Sequence, residues 1–530
     1  MKKITKRLVS LTLAAVAAGA TLGFTACSGK DMSGTLVIEA ARLGYGLDWL
    51  DAMAADWSEM TGNQTKIVKK VGAKGNDAIS EEIASLASDK DIFIYRTADY
   101  ATNVYKGQVQ HGGENYDCVY LDLTDTYKKA LSGESGATIE SKVYESYTNA
   151  LQINGKYYAV PWIDGTLGIM RNVSLWEKLG LTNDDIPLTT DELFETCEKI
   201  KTAAAAKKEY QKVAPFLYSL EDEYYTSFIP VWFAQYEGTE GIEKFKKGLD
   251  PEGYTSNKIF TYPGQEKMFE VVQELLDPAN GYQHTNSSSL NFTDMQGQFL
   301  KDQAVFCVNG AWIEIEMGSG YSDARIDYIK APVISALAEK LSFYDETDQE
   351  GNDGKLSELV AYVDATASGY EGKPAFATEE DVDTVRDARN FSYITLGLTH
   401  VMVGSAYSKK TEMIRSFIEY MYSDRGMNVY YKATQGARLP ATMSANGSYS
   451  EDVEVSDFKQ SVNEISRNEI LVYSTPAKLY SIGGVSTKFL NGITGYIGSL
   501  ANGTTTASAI LLANQQYVER NWSVISSKIR

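Results

Sequence analysis

The chain has 530 residues, which is too long for a single hydrophobic core and therefore predicts at least two domains. Its formal net charge of −20 argues against nucleic acid and against an anionic membrane surface, because both repel a negatively charged protein. The three histidines stand far apart in the sequence and no CxxC or HxxxH spacing occurs, so we expect neither a bound metal nor a cofactor.

The N-terminus has the pattern of an export signal. Basic residues at 2–7 precede an apolar stretch at 8–23, and three further residues separate that stretch from Cys27. We expect a lipoprotein signal peptide over 1–26, lipidation of Cys27 and a flexible tether over 27–34, which would hold the chain at the outer face of the cytoplasmic membrane. A plain secretory signal cleaved near Ala26 is the alternative, and the mature chain is exported in either case.

The number of remaining cysteines argues against a disulfide framework. After Cys27 only Cys118, Cys197 and Cys307 remain, an odd number in a chain that we expect to be exported. We therefore expect three small buried hydrophobic side chains, with a single bridge as the alternative.

The first part of the mature chain alternates strands and helices. The pattern predicts strands at 34–40, 65–71 and 91–95, and helices at 49–60 and 78–88. This order predicts a parallel sheet whose carboxyl edge opens onto a crevice. Tyr45 and Arg96 fall at that edge, which makes them candidate ligand contacts.

Residues 154–190 predict a crossing between two sheets. A short strand ends at Pro161, which cannot donate a hydrogen bond to a strand ladder. Trp162 and Asp164 follow, and 166–170 predict a second strand. After a short helix, Thr189 and Glu192 stand at the two ends of a capping box for a helix at 191–205.

Several later segments extend the pattern. An aromatic segment contains Tyr225 and Trp232, and the run FLKDQAVFCVNGAW at 299–312 ends in Trp312. A lysine-containing turn at 408–411 then precedes a predicted helix at 413–422 and the sequence GARLP, which contains Arg438.

Residues 335–390 are rich in Asp, Glu, Gly and Ser, and we interpret them as an insertion with one or two helices. An acidic run at 345–354 resembles a calcium loop in composition only. Its spacing does not match an EF-hand, so a solvated acidic loop is the expectation.

In this order, the segments resemble the extracellular solute-binding proteins of bacterial ABC importers, and among them the carbohydrate-binding family that includes the maltose-binding proteins. The resemblance rests on the Leu-Asp-Leu-Thr step at 121–124, the crossing at 161–162, the segment 299–312 and the segment 408–440. The small-residue loop and helix at 491–522 extend it to the C-terminus. Asp302 departs from the family's pattern, which has glycine there.

The resemblance implies an α/β fold of two lobes, of the type II periplasmic-binding-protein kind, each lobe a mainly parallel sheet flanked by helices. The ligand cleft would lie between the lobes. We place lobe 1 at 35–161 and 400–445, and lobe 2 at 162–399 and 446–530, with crossings near Pro161, Thr399 and Asn446.

The resemblance also implies a function. A lipid-anchored monomer would capture a sugar, with an oligosaccharide as the expected ligand, by hinge closure and deliver it to an ABC permease. A sugar needs flat aromatic surfaces for its C–H faces and charged or amide groups for its hydroxyls. The candidate ligand contacts are Trp312, Trp162, Asp164, Tyr225, Trp232, Tyr45, Arg96 and Arg438.

Two other readings remain open. One is an exported carbohydrate-active enzyme that uses two carboxylates, although no nucleophile elbow, catalytic triad order or metal motif occurs in the sequence. The other is a protein of the same fold that binds a peptide or a polyamine.

Overall fold

The computed structural model describes residues 34–71, 74–86, 88–97, 100–219, 228–318, 324–366, 368–392, 394–395, 400–465 and 498–528. The predicted signal peptide, Cys27, Tyr225 and Thr399 lie outside the described residues. Within the described part of the chain, no helix is both long enough and apolar enough to cross a membrane.

The strands of the described residues are numbered in chain order. They are β1 Thr35–Ala41, β2 Gln64–Lys70, β3 Ile92–Arg96, β4 Val109–His111, β5 Glu114–Tyr116, β6 Gln152–Ile153, β7 Lys156–Tyr157, β8 Val160–Pro161, β9 Thr166–Asn172, β10 Ala214–Leu217, β11 Ala304–Gly310, β12 Ile326–Ile329, β13 Ile394–Thr395 and β14 His400–Gly404.

The α-helices are numbered in the same way. They are α1 Asp48–Thr61, α2 Gly75–Ser85, α3 Tyr100–Tyr105, α4 Thr124–Lys128, α5 Ile139–Lys142, α6 Glu145–Leu151, α7 Val173–Leu179, α8 Thr190–Ala205, α9 Pro230–Lys246, α10 Pro263–Leu276, α11 Phe292–Phe299, α12 Ile313–Met317, α13 Gln349–Ala365, α14 Glu379–Asn390, α15 Thr411–Tyr422, α16 Asp424–Ala433, α17 Asp457–Ile465 and α18 Ala507–Lys528.

The first sheet has the strand order β2-β1-β3-β14-β8. Strand β14 runs antiparallel to both of its neighbours, whereas β1 is parallel to β2 and β3. Pro161 lies in the edge strand β8, where the absence of a backbone N–H removes no hydrogen bond from the sheet. Helix α1 covers this sheet with buried Trp49, Met53 and Trp57, and it ends at Gly62, whose φ of 76° is left-handed.

The second sheet has the order β10-β11-β9-β12, and β13 also pairs with β9. Strand β9 runs antiparallel to β11, β12 and β13. Every residue of β9 and β11 is buried, as expected for strands covered on both faces. Two separate sheets, each with one strand opposed to the rest, confirm the predicted two-lobed α/β fold.

The chain passes between the two sheets more than once. It leaves the first sheet after β8 and enters the second at β9, so that Trp162 and Asp164 lie on the connection. It returns between β13 and β14, and α17 later packs on β12 of the second sheet through Phe458 and Tyr328, whose rings lie 5.2 Å apart. The residue boundaries given above for lobe 1 and lobe 2 stay a proposal.

The proposed insertion at 335–390 contains a 3-10 turn, Ser335–Lys340, and helices α13 and α14. Leu356, Leu359, Val382 and Val385 are fully buried in the core of the second sheet. The acidic run has a structural role, because the Asp348 side chain caps α13 by accepting a hydrogen bond from the Gly351 N–H at 3.1 Å.

Asp302 lies in a turn with a φ of 62°, a conformation that favours glycine. Its carboxylate accepts hydrogen bonds from Asn172 Nδ2 at 3.0 Å and from Lys178 Nζ at 2.6 Å. These bonds offset the strain and explain why this chain tolerates Asp where the resembling family has glycine.

Two further local predictions can be compared with the structure. Cys118, Cys197 and Cys307 are free and buried, which confirms the expectation for them. The Thr189 side chain accepts from the Glu192 N–H at 3.3 Å, as predicted, but the Glu192 carboxylate accepts from the Leu188 N–H at 2.7 Å. The predicted capping box is therefore correct at Thr189 and displaced by one residue at Glu192.

Candidate ligand-binding site

The candidate site lies where the first connection between the sheets meets the loops that follow β1 and β11. Tyr45, Trp162 and Trp312 share one buried cluster. Asp164 is hydrogen-bonded to Tyr147 of the same cluster, and the Arg438 guanidinium lies over the ring of Tyr449, which packs against the cluster. The structure thus brings together five of the residues that the sequence singled out.

The Trp312 indole packs against Gly310, two residues before it in the chain. A Cβ atom added at Gly310 would lie 2.2 Å from Trp312 Cζ2, so the indole packs directly against the backbone at position 310. This contact gives a physical reason for the glycine-x-tryptophan pattern in the sequence, because any side chain at 310 would displace the ring.

Trp312 also contacts the part of the protein that is built around the first sheet. We call this part the first body, and the part built around the second sheet the second body. A Cβ atom at Gly44, in the loop after β1, would lie 3.4 Å from Trp312 Cγ and 3.3 Å from Ile163 Cδ1. Trp312 follows β11 of the second sheet and is 4% exposed. The two bodies therefore meet at this indole.

Trp162 lies deeper, in the core of the first body. Its ring stacks on Trp49 at a centroid distance of 5.3 Å and an interplanar angle of 15°. His400, at the start of β14, lies 5.7 Å from the Trp162 ring and 6.5 Å from the Trp312 ring. The buried Trp162 Nε1 has no hydrogen-bond acceptor among the described residues. The sequence analysis did not single out His400 as a neighbour of both indoles.

Asp164 carries the carboxyl group of the first connection. It is half-buried and accepts a hydrogen bond from the Tyr147 hydroxyl at 3.1 Å. Burial raises its pKa to about 6, against the opposing effects of the Tyr147 hydrogen bond and the Arg438 charge. Burial, together with the charges of Asp164 and Glu314, raises the pKa of Tyr45 as well.

Two more carboxylates follow Trp312 on the short helix α12, and the sequence analysis missed both. Glu316 accepts a hydrogen bond from Gln296 Nε2 at 2.8 Å. Desolvation of its carboxyl group raises the pKa of Glu316 to about 7, although the residue as a whole is exposed. Glu314 Oε2 accepts from the Ser456 hydroxyl at 2.9 Å and lies 3.7 Å from Lys459 Nζ.

Arg438 is half-buried on the loop after α16. Its guanidinium lies 4.8 Å from the centre of the Tyr449 ring, within cation–π range. Its Nε is buried and has no hydrogen-bond acceptor in the described part of the chain. Arg438 therefore retains capacity to donate to an oxygen atom of a ligand.

Two of the predicted residues lie away from this cluster, and the position of a third is not described. Trp232 is 1% exposed in the core of the second body, where its Nε1 donates to the Pro332 carbonyl at 3.3 Å and its ring meets Phe228 edge-on. Arg96 pairs with His400 in the strand ladder, but its side chain is exposed. Tyr225 lies outside the described residues. The helical aromatic segment around Trp232 serves the core because α9 packs its apolar residues inward.

The cluster combines indole and phenol rings with carboxylates and one guanidinium, contributed by both bodies. Such a set can pack against the C–H faces of a polar ring and exchange hydrogen bonds with its hydroxyls. No group of three or more metal-ligating side chains occurs among the residues that the structure describes.

The sequence and the structure were compared with known proteins. A family model described as bacterial extracellular solute-binding protein matches residues 47–428, well over half of the chain. A search of curated protein sequences found no match.

Solved structures with the same fold cover nearly all of this chain. The GacH receptor of Streptomyces glaucescens, solved unliganded and with acarbose, has a TM-score of 0.56 at 15% identity, and the match covers 92% of this chain and 98% of that chain. Maltose-bound MalE3 of T. maritima has a TM-score of 0.56 at 12% identity over 92% and 99% of the two chains. A structure from work on xylan utilisation by Caldanaerobius polysaccharolyticus has a TM-score of 0.58 at 16% identity, and the match covers 91% of this chain and 99% of that chain.

Proposed function

We propose that this chain, which belongs to the bacterial extracellular solute-binding proteins, captures a sugar between its two lobes and delivers it to the permease of an ABC importer. The proposal rests mainly on the contact between Trp312 and Gly44, because it places an aromatic side chain of one body against a loop of the other. The charges of Asp164 and Glu314 both act on Tyr45, the residue that follows Gly44 in the loop.

The proposed site matches the chemistry of a sugar. The Trp312 indole would pack on a C–H face, while Asp164, Glu314 and Arg438 would bind hydroxyl groups. The buried N–H groups of Trp162 and Arg438 that lack acceptors among the described residues would gain one from a ligand oxygen. The structures with acarbose and with maltose support a sugar as the ligand class.

Closure provides the mechanism of capture. Trp312 is almost fully buried in the arrangement described here, so a sugar ring has to enter when the lobes are apart. A ligand that contacts both bodies stabilises the closed form by its differential affinity for that form. The permease would then recognise the closed shape.

Membership of an extracellular family makes the chain an exported protein. We further propose that Cys27 carries lipid and anchors a monomer to the outer face of the cytoplasmic membrane. Two acyl chains suffice for stable anchoring because each buried CH₂ contributes about 0.8 kcal/mol.

A ligand panel separates this proposal from its two alternatives. The signal-free protein is heated with mono- and oligosaccharides, peptides and polyamines, and each sugar is recovered and analysed. We expect one sugar series to raise the melting temperature and to be returned intact. Cleavage of that sugar would identify an enzyme, and a shift with only peptides or polyamines would identify a different binder of the same fold.

A further inference from the structure

The loop that follows α16 carries Arg438 and is fastened to the first body at several points. At its start, the Tyr144 N–H donates to the Pro440 carbonyl at 3.0 Å. Two residues later, the Thr442 N–H donates to the Lys142 carbonyl at 2.8 Å. Because Lys142 is the last residue of α5, this part of the loop lies against the end of that helix.

Asp424, the first residue of α16, holds the middle of the loop. One of its carboxylate oxygens accepts from the Ser444 N–H at 2.9 Å, and the other accepts from the Ser444 hydroxyl. A Cβ atom added at Gly447 would lie 2.2 Å from Asp424 Oδ2. The loop therefore passes so close to this carboxylate that a glycine is required at position 447.

A buried lysine fixes the Asp424 carboxylate. Lys142 Nζ donates to Asp424 Oδ1 at 2.8 Å and to Glu134 Oε2 at 2.6 Å, and Lys142 is buried. The other oxygen of Glu134 accepts from the Asp424 N–H at 2.6 Å. In such a buried network each charge needs the others for compensation, so the group is rigid.

Asn428, one helical turn after Asp424, holds the end of the loop. Its Nδ2 donates to the Ser448 carbonyl at 2.9 Å, and its Oδ1 accepts from the Ser450 N–H at 2.8 Å. The amide thus binds the backbone on both sides of Tyr449. Positions four apart lie on the same face of a helix, so Asp424 and Asn428 act on the loop together.

The Tyr449 side chain supports Arg438. The Arg438 guanidinium lies 4.8 Å from the centre of the Tyr449 ring, and the Tyr431 ring of α16 lies 4.6 Å from the same ring. A planar guanidinium on an aromatic face is oriented as well as attracted. The position of this cation therefore depends on the position of the Tyr449 backbone.

We propose that Asn428 is a positioning residue for ligand binding. It fixes the backbone of Tyr449, whose ring holds the Arg438 guanidinium ready to donate to a ligand oxygen. An arginine that is ordered before the ligand arrives loses less conformational entropy on binding. The inference rests on the proposed function, in which Arg438 binds a hydroxyl group, and adds a side chain that acts only through Tyr449 and Arg438.

The test is a double-mutant cycle in the signal-free protein. The probe is whichever of maltose, raffinose and xylobiose raises the melting temperature most, and calorimetric titration measures its affinity. Asn428→Ala should weaken binding about fivefold, the effect of one poorly placed hydrogen bond from a charged group. In the Arg438→Ala background the same substitution should change the affinity less than about twofold, because the group that Asn428 positions is absent.

Asn446→Ala is the matched control. It removes an exposed amide from the same loop and should leave the affinity unchanged in both backgrounds. A purely structural role for Asn428 would lower the melting temperature and would weaken binding equally with and without Arg438, so the cycle distinguishes the two roles.

Tyr449→Leu keeps the test decisive if Asn428→Ala does not fold. It removes the ring that supports the guanidinium, so it should weaken binding in the parent and not in Arg438→Ala. Unchanged affinity in either folded variant or in Arg438→Ala, or losses of equal size with and without Arg438, would overturn the positioning role and leave the proposed function intact. Binding of no sugar by the parent protein would overturn the proposed function and the positioning role with it.

Discussion

At the scale of single residues, Trp312 is the side chain on which the proposed binding site depends most. The Trp312→Ala variant should bind its sugar at least about fivefold more weakly, because a stacked aromatic contributes about 1 kcal/mol or more. Calorimetric titration of the sugar selected by the panel measures the change.

Trp232→Phe provides the matched control for that substitution. It removes the hydrogen bond to the Pro332 carbonyl inside the second core, so it should lower the melting temperature and leave sugar affinity unchanged. Unchanged affinity in Trp312→Ala would remove Trp312 from the site, and weakened affinity in Trp232→Phe would restore Trp232 to it.

Asp164 gives a prediction for the effect of pH. Its pKa rises from an ordinary 3.8 to about 6 in the folded protein, so the folded state holds this proton more tightly than the unfolded chain. The carboxyl group therefore costs the folded state stability progressively as the pH rises from 3.8 to about 6, and the cost is constant above that range. Asp164→Asn stays neutral and keeps an oxygen for the Tyr147 hydroxyl. Urea unfolding should show its stability advantage over the parent growing across that pH range.

Asp381 provides a control, because its pKa is shifted in the opposite direction to that of Asp164. Hydrogen bonds from Ser342 and Thr378 hold the pKa of Asp381 below its ordinary value, so its stabilising effect is present at neutral pH and is lost as the pH falls. Asp381→Asn should therefore differ from the parent most at neutral pH. A stability difference for Asp164→Asn that does not vary with pH would contradict the burial of this carboxyl group.

At the scale of elements, the end of β11 positions the indole. Gly310→Ala places a methyl group where the Trp312 ring lies, so it should weaken sugar binding without contacting the sugar. Near-UV circular dichroism reports the displaced indole and calorimetry reports the affinity. Gly354→Ala, where no atom lies within 4 Å of the added Cβ, is the matched control and should leave both signals unchanged. An unchanged sugar affinity in Gly310→Ala would show that sugar binding does not depend on the orientation of the Trp312 indole.

Local pattern was sufficient to predict many elements. The apolar run at 34–40 predicted β1, and the helical spacing up to Gly62 predicted α1, because side-chain periodicity and a left-handed glycine are local properties of the chain. Pro161 marked the connection between the sheets for the same reason.

Contacts between distant segments could not be predicted from local pattern. Glu314 and Ser456 are separated by 142 positions, and Trp312 and Gly44 are separated by 268 positions. Trp232 was assigned to the site because aromatic residues suit both a core and a sugar, and only packing distinguishes the two. His400 gave no local signal, since its role depends on the two indoles that flank it.

At the scale of the whole molecule, two bodies with separate cores meet around Trp312 and along α17. Apolar packing keeps each body intact, and the junction between them combines the apolar contact at Trp312 with polar contacts such as Lys459 to the end of α16. Polar contacts exchange readily with water, which lowers the cost of motion at the junction. Capture by closure is the central claim of this account.

The distance between spin labels on the two bodies tests that claim most directly. Lys128→Cys and Glu358→Cys place labels on exposed positions of α4 and α13, and Cys118, Cys197 and Cys307 are buried and react slowly. Double electron–electron resonance is recorded without sugar and with the sugar that the panel selects at saturation. The account predicts that the sugar converts a broad distribution of distances into a single narrow one. An identical distribution in both samples would contradict capture by closure.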